Sequence, residues 1–340
     1  MRISALIGTV TILLALLPAG CHGDSSRMDA DGSAEAIEIA ETSENAEVAE
    51  TAEAAETSET AVASETAEAA VASETTVAAE TAETSETIEK WLNEGLTYWR
   101  QKRDVSSLIA HYADRQLGIT YVGGLLDEPD TEQLVVTLKG SDCVIYVETS
   151  LALAMTTMQA RTSYNAFREN LKFIRYREGE IDGYPSRLHY FSDWLLTNQE
   201  KGMLTVLFQE DGLPGIAPPD FMTQNRDNYR HLADDEAMFD KIRAMEQRLA
   251  DRRLVYIPQD RIPEFEDRFQ TGDILSFVTT IEGLDITHTG LVKMDGDRAG
   301  FYHASMTGSV IVDPNTIHEY TQNRRNINGI VVARLTSPQM

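Results

Sequence analysis

Apolar positions along the second three-quarters of the chain fall into two successive regimes. From residue 88, "IEKWLNEGLTYWRQKRDVSSLIAHYADRQLG" spaces its apolar residues at helical intervals and predicts two amphipathic helices. A further helical run starts near residue 143, where Val144, Val147, Leu151, Ala154 and Met158 predict one buried face. "MLTVLF" reads as a strand, and Met238, Ile242, Met245 and Leu249 form the apolar stripe of a helix over about 233–252. That stripe is ordinary core packing, not a cofactor box. From Gly272 the pattern turns to strands: "DILSFVTTI", "ITHTGLVKM", "GFYHASM", "VIVD" and "NGIVVARL". Helices first and a mostly antiparallel sheet last predict an α+β fold with helical insertions.

Residues 32–88 show neither period. They are mostly Ala, Glu, Thr, Ser and Val, without Pro, aromatics or basic residues, and Glu recurs at every third position from Glu35 to Glu59. A period of three builds no single apolar face, and the glutamates repel one another with no Lys or Arg to pair with. The segment reads as an acidic tether, disordered or a helical stalk. Before it, "MRISALIGTVTILLALLPAGC" has one Arg, an apolar run too short to span a bilayer, and small residues, the layout of an export signal. Its "PAGC" end resembles a bacterial lipobox, which would make Cys21 the lipid-attachment residue; Pro18 departs from the usual Leu, and export without lipidation is the alternative. The expected domains are therefore 1–20 leader, 21–88 tether and 89–340 folded unit.

The tether accounts for most of the charge. Residues 1–89 hold 19 acidic and 2 basic residues, a net of −17 out of −26 for the chain, which leaves −9 on the rest. An acidic chain of this kind argues against nucleic acid as a partner.

If Cys21 carries lipid, Cys143 has no intramolecular partner, and a lone thiol in an exported protein is either reactive or buried and inert. Its place in the first turn of a helix favours the thiolate. A nucleophilic thiolate needs a base, and His288 and His303 lie on adjacent predicted strands joined by "MDGD". A two-residue turn at Asp295-Gly296 would pair them directly on one face, with Cβ atoms about 5 Å apart. No set of zinc-type ligands accompanies them, so neither metal nor other cofactor is expected.

"LGITYVGG", "SDCVIYVE", "TGDILSF", "THTGLV" and "FYHAS" occur in the order found in the NlpC-type papain-like cell-wall hydrolases. "RYREGEIDGYPSRLHYFSDWLLTN" and "YIP" before "QTGDIL" resemble more narrowly the N-acetylmuramoyl-L-alanine amidase-like branch. The resemblance runs from about residue 90 to the C-terminus. It implies a papain-like fold and cleavage of the amide between N-acetylmuramic acid and L-alanine in peptidoglycan fragments. A γ-D-glutamyl endopeptidase and a non-catalytic peptidoglycan-binding lipoprotein are the alternatives. By the same resemblance Cys143 is the nucleophile, His288 the general base, His303 the group that orients it, and Tyr121 a donor to the oxyanion beside the Cys143 backbone N–H. Thr120 stands where Pro is common and Ile145 where this branch tends to have Thr.

For a sugar–peptide ligand, Arg187 can fork onto a carboxylate, Tyr190 and Trp194 can stack on a sugar face, and His189 can hydrogen-bond; Arg175 and Tyr176 offer similar groups. His189 is also the one rival for a catalytic role. Asp142 either binds an amine or caps the cysteine helix. The chain is expected to act as a monomer in the bacterial envelope, held to a membrane through Cys21.

Overall fold

The computed structural model describes residues 81–209 and 212–336; the expectations for the leader, Cys21 and the tract up to residue 80 lie outside the described residues. The first helix, α1 (81–102), already packs Thr84, Ile88, Leu92 and Trp99 into the core. The packed unit therefore includes residues upstream of the expected boundary at 89. Helix α2 (Val105–Arg115) follows, its start capped by the Asp104 carboxylate, which accepts from the Ser107 N–H at 2.8 Å.

Helix α3 (Cys143–Met158) is the hub of the helical layer, with α4 (Tyr164–Arg175) and α2 packed against it. The expected one-sided stripe understates its burial. Its polar residues Glu148, Thr149, Ser150, Thr156 and Thr157 are buried too, whereas Val144 and Met158 of the stripe are only half-buried. The buried hydroxyls are satisfied locally: Ser150 donates to the Tyr146 carbonyl at 2.9 Å, and Thr156 to that of Ala152 at 2.7 Å.

Helix α5 (Phe191–Glu200) and strand β1 (Leu204–Val206) lead into an insertion holding α6 (Phe221–Gln224) and α7 (Glu236–Leu249). Ile242, Met245 and Leu249 of the α7 stripe pack against Tyr184, Tyr190, Met222 and Tyr229; Met238 lies at the margin. After β2 (Ile257–Pro258) come β3 (Ile274–Thr279), β4 (Ile286–Asp295), β5 (Arg298–Ala304), β6 (Val310–Val312), α8 (Ile317–Gln322) and β7 (Ile327–Leu335). They form one antiparallel sheet in the order β1-β7-β3-β4-β5-β6, with β2 also paired to β7. Helices plus this sheet make the α+β class.

Both faces of the sheet are covered, which is why its strands read as near-continuous apolar runs. Ile274, Val278, Leu291, Tyr302, Val331 and Ala333 face the helical layer. Leu275, Phe277, Val292, Phe301 and Val332 face a second core closed by Ile262, Phe265, Phe269, Ile317 and Tyr320. Each fully buried Leu, Ile or Phe stabilises by roughly 1.5–3 kcal/mol, so losing either cover would unfold the sheet.

The β4–β5 hairpin differs from its expected register. Its two-residue turn is Gly296-Asp297, one place further along, with Asp295 opposite Arg298 and Leu291 opposite Tyr302. Gly296, first in the turn, has φ +58°, a conformation that suits glycine there. Continuing the ladder puts Gly290, not His288, opposite His303. The displacement is an even number of residues, so both imidazoles keep to one face.

Candidate active site

Cys143 opens α3, and Asp142 caps the helix: its Oδ1 accepts from the Ile145 N–H at 2.7 Å. Capping is thus the role of Asp142 seen in the fold. The thiol is 5% exposed and its pKa is pushed up to about 12, first by burial and then by the Asp142 carboxylate. Backbone N–H groups of Thr289, Cys143 and Val144 pull the other way and lose. The helix start favours the thiolate, but desolvation outweighs the dipole and keeps the resting group a thiol.

The Thr289 N–H that reaches the sulfur belongs to β4, one residue from His288, and Cys143 and His288 line one cavity. His288 Nε2 is 2.7 Å from His303 Nδ1, with the rings edge to face at 4.9 Å. The diagonal works because Gly290, opposite His303, has no side chain. A Cβ there would meet the Tyr302 carbonyl at 2.3 Å and the His303 Cβ at 3.3 Å. Phe277, Phe301 and Tyr320 pack around the two imidazoles. Burial, then His303 and Arg324, hold the His288 pKa well below its usual value, so the ring is neutral at rest.

His303 has a further neighbour that sequence reasoning missed. Its Nε2 lies 3.1 Å from Asp313 Oδ2, off the line of a full hydrogen bond. On the ladder Tyr302 pairs with Val312 and His303 with Ile311, and the Asp313 N–H donates to the Phe301 carbonyl at 2.9 Å. Asp313 therefore shares the face of Phe301 and His303. His288, His303 and Asp313 descend three neighbouring strands diagonally, each two residues away from direct pairing. The acidic residue closing "VIVD" was the available signal, given the strand parity.

Tyr121 is tied to the segment preceding the cysteine helix: it bridges to Ser141, and its N–H donates to the Gly308 carbonyl at 2.8 Å. It is half-buried, and burial, then charge on Cys143 and Asp142, raise its pKa. The hydroxyl therefore stays protonated, as an oxyanion donor must.

The cavity has a volume of about 120 Å³. Arg175, Arg187, His189 and Tyr190 line it together with Asp142, Cys143 and His288. Trp194 and Tyr176 do not. Trp194 is 0% exposed, stacks on Phe191 at 4.8 Å, and donates Nε1 to Glu148 at 3.0 Å. Tyr176 is also fully buried, its hydroxyl donating to Glu132 at 2.7 Å. Both are core residues, which corrects the expectation of sugar stacking.

Arg175 is committed as well, donating to Glu148 at 2.7 Å and to the Val135 carbonyl at 2.7 Å. Arg187 is held by Asp127 at 2.5 Å and approached by Glu132 at 3.2 Å, over the Tyr184 ring. Asp127 and Glu132 had no local signal, lying 60 and 55 residues before Arg187. Tyr190 bonds Glu246, and His189 Nε2 contacts the Tyr184 carbonyl at 2.8 Å. Burial and Arg187 lower the His189 pKa to about 3. Among the described residues, no group of three His, Cys, Asp or Glu side chains is placed to hold a metal ion, and no helix is long and apolar enough to cross a membrane.

Comparison with known proteins places this architecture. The chain is similar to an N-acetylmuramoyl-L-alanine amidase from Bacteroides uniformis ATCC 8492, at 28% identity and TM-score 0.65, covering 68% of this chain and 99% of that one. A Bacteroides fragilis structure given the provisional name of xylanase matches at 29% identity and TM-score 0.62, covering 66% and 99%. A Legionella pneumophila str. Philadelphia 1 protein of family DUF1460 shares the fold at 19% identity and TM-score 0.57, covering 76% and 96%. No curated protein matches the chain. Residues 111–330, well over half of the chain, match the family described as AmiA-like, and the protein belongs to that N-acetylmuramoyl-L-alanine amidase-like family.

Proposed function

We propose that the protein is a cysteine-dependent, papain-like amidase that cuts the bond between the lactyl group of N-acetylmuramic acid and L-alanine in peptidoglycan fragments. The supporting observation is one cavity lined by the only described cysteine and by an imidazole backed by a second imidazole. As the thiol attacks the amide carbonyl, its proton passes to His288. The tetrahedral oxyanion is met by the Cys143 backbone N–H and the Tyr121 hydroxyl. His288 then protonates the departing amine, and water, deprotonated by His288, releases the acid from the thioester. A neutral thiol beside a neutral imidazole suits this order, because charge forms only during attack.

A xylanase would need two carboxyl groups astride the scissile bond. In this cavity Asp127 and Glu148 are bound to arginines, Asp142 caps a helix, and Asp285 accepts from the Ser192 and Ile286 N–H groups. The rival with closer chemistry is the γ-D-glutamyl endopeptidase. Incubating the purified full chain with a defined disaccharide–peptide muropeptide, followed by mass spectrometry, separates them. Release of a peptide with N-terminal L-alanine is expected; release of a dipeptide would favour the endopeptidase, and no product would leave only binding. Cys143→Ala should reduce product at least about 10⁴-fold while the thermal midpoint stays within a few degrees. The same reading puts the folded unit on a membrane through lipid at Cys21. Radiolabelled fatty acid should therefore enter the wild-type chain and not Cys21→Ala.

A further inference from the structure

We propose that Asp313 is a positioning residue which, through His303, dictates which nitrogen of His288 carries the proton. The inference rests on the cysteine-hydrolase reading above. A carboxylate only accepts, so the His303 nitrogen facing Asp313, Nε2, is the protonated one. In the neutral pair His303 Nδ1 is then an acceptor, and the 2.7 Å contact is filled by the N–H on His288 Nε2. That leaves Nδ1 of His288 with its lone pair, the only ring nitrogen available to take the proton of the Cys143 thiol. The opposite arrangement would set the His303 lone pair against a negative oxygen. Because Oδ2 lies off the N–H line, Asp313 acts mainly by the placement of its charge.

The carboxylate is held for this task. Its Oδ1 accepts from the backbone N–H of Asn315 at 2.9 Å and from its side-chain amide at 2.8 Å, which turns Oδ2 toward His303. Although burial opposes it, contact with His303 and Asn315 lowers the Asp313 pKa to about 2, so it stays ionised across neutral pH. The other charged or titratable groups facing the pair are Cys143 from α3, Tyr320 from α8 and Arg324 just after it. When His288 takes the thiol proton it still donates through Nε2, and the Asp313 charge favours the cation formed.

This geometry makes an uncommon prediction for the isosteric variant. In Asp313→Asn the Asn315 backbone N–H keeps the amide oxygen in the Oδ1 place, so the new NH₂ points at His303 Nε2. His303 must then accept there and donate from Nδ1, which forces the His288 proton onto Nδ1 and blocks it as a base. Asp313→Ala merely frees the pair to choose. With the muropeptide above, kcat should fall about 10²–10⁴-fold in the Asn variant and only about tenfold in the Ala variant, with KM within about threefold in both. A packing role gives the reverse order, since Asn fills the site and Ala does not.

Nitrogen-15 NMR of histidine-labelled full chain reads the tautomers directly: Nε2–H on His288 in the wild type, Nδ1–H in the Asn variant. An Asn variant with more than half of the wild-type kcat, or a wild-type His288 protonated at Nδ1 in the neutral pair, would overturn the proposal. If the wild-type chain cleaves no muropeptide, the hydrolase reading fails on its own and the NMR decides the Asp313 role alone.

Discussion

Two buried polar networks border the same cavity and end differently. On the helical side Glu148 takes Arg175 on one oxygen and Trp194 on the other, and Arg175 Nη1 donates to the Val135 carbonyl. Both carboxylate oxygens of Glu148 are thus taken. On the sheet side the row His288–His303–Asp313 ends at a ring nitrogen with no partner from within the row. Both networks contain charge and are buried except at the half-buried His288, so charge does not distinguish them. What distinguishes chemistry from scaffolding is the open end, and the closed network is the one whose disruption should damage the fold.

Three substitutions test that contrast, taken from the largest effect down. Gly290→Ala should break the open row: the added methyl meets the Tyr302 carbonyl and the His303 Cβ, so the imidazoles must part. Activity should drop at least about 100-fold, with a stability loss of about 1–3 kcal/mol from overpacking, read by kinetics and by denaturant melts on one sample. Glu148→Ala should do the reverse. It leaves a buried guanidinium unpaired, costing about 3–5 kcal/mol and lowering the melting midpoint by roughly 10 °C, while kcat per folded molecule changes little. Retention of stability in Glu148→Ala would show that the closed network is not scaffolding.

The smallest effect concerns the sulfur itself. Asp142→Asn keeps the helix cap but removes the negative charge that helps to raise the thiol, so the Cys143 pKa falls. Alkylation by iodoacetamide at pH 8 should become severalfold faster than in the wild type. In both proteins the rate should climb with pH up to 10, below the thiol pKa of about 12. A plateau near neutral pH would mean that His288, and not burial, governs ionisation of the thiol.

Periodic features were legible in the chain and long-range partners were not. Strand parity placed His288 and His303 on one face even though the turn was displaced from Asp295-Gly296 to Gly296-Asp297, because an even shift preserves sides. The stripe of α3 understated its burial because its small and hydroxylated residues can be enclosed once their hydroxyls bond the preceding turn. Trp194 and Tyr176 misled for a different reason. An aromatic ring suits a cleft and a core equally well, and only Glu148 and Glu132, 46 and 44 residues away, decide for the core. The pairing of Arg187 with Asp127 is invisible for the same reason.

The Cys143 sulfur stands at the first residue of a helix enclosed by other helices and the sheet. Such a helix cannot fray without opening the whole core, so its amides should exchange with solvent only through global unfolding. The thiol is thereby denied the wobble of a surface loop, and heat should silence the proposed chemistry only when the entire domain melts.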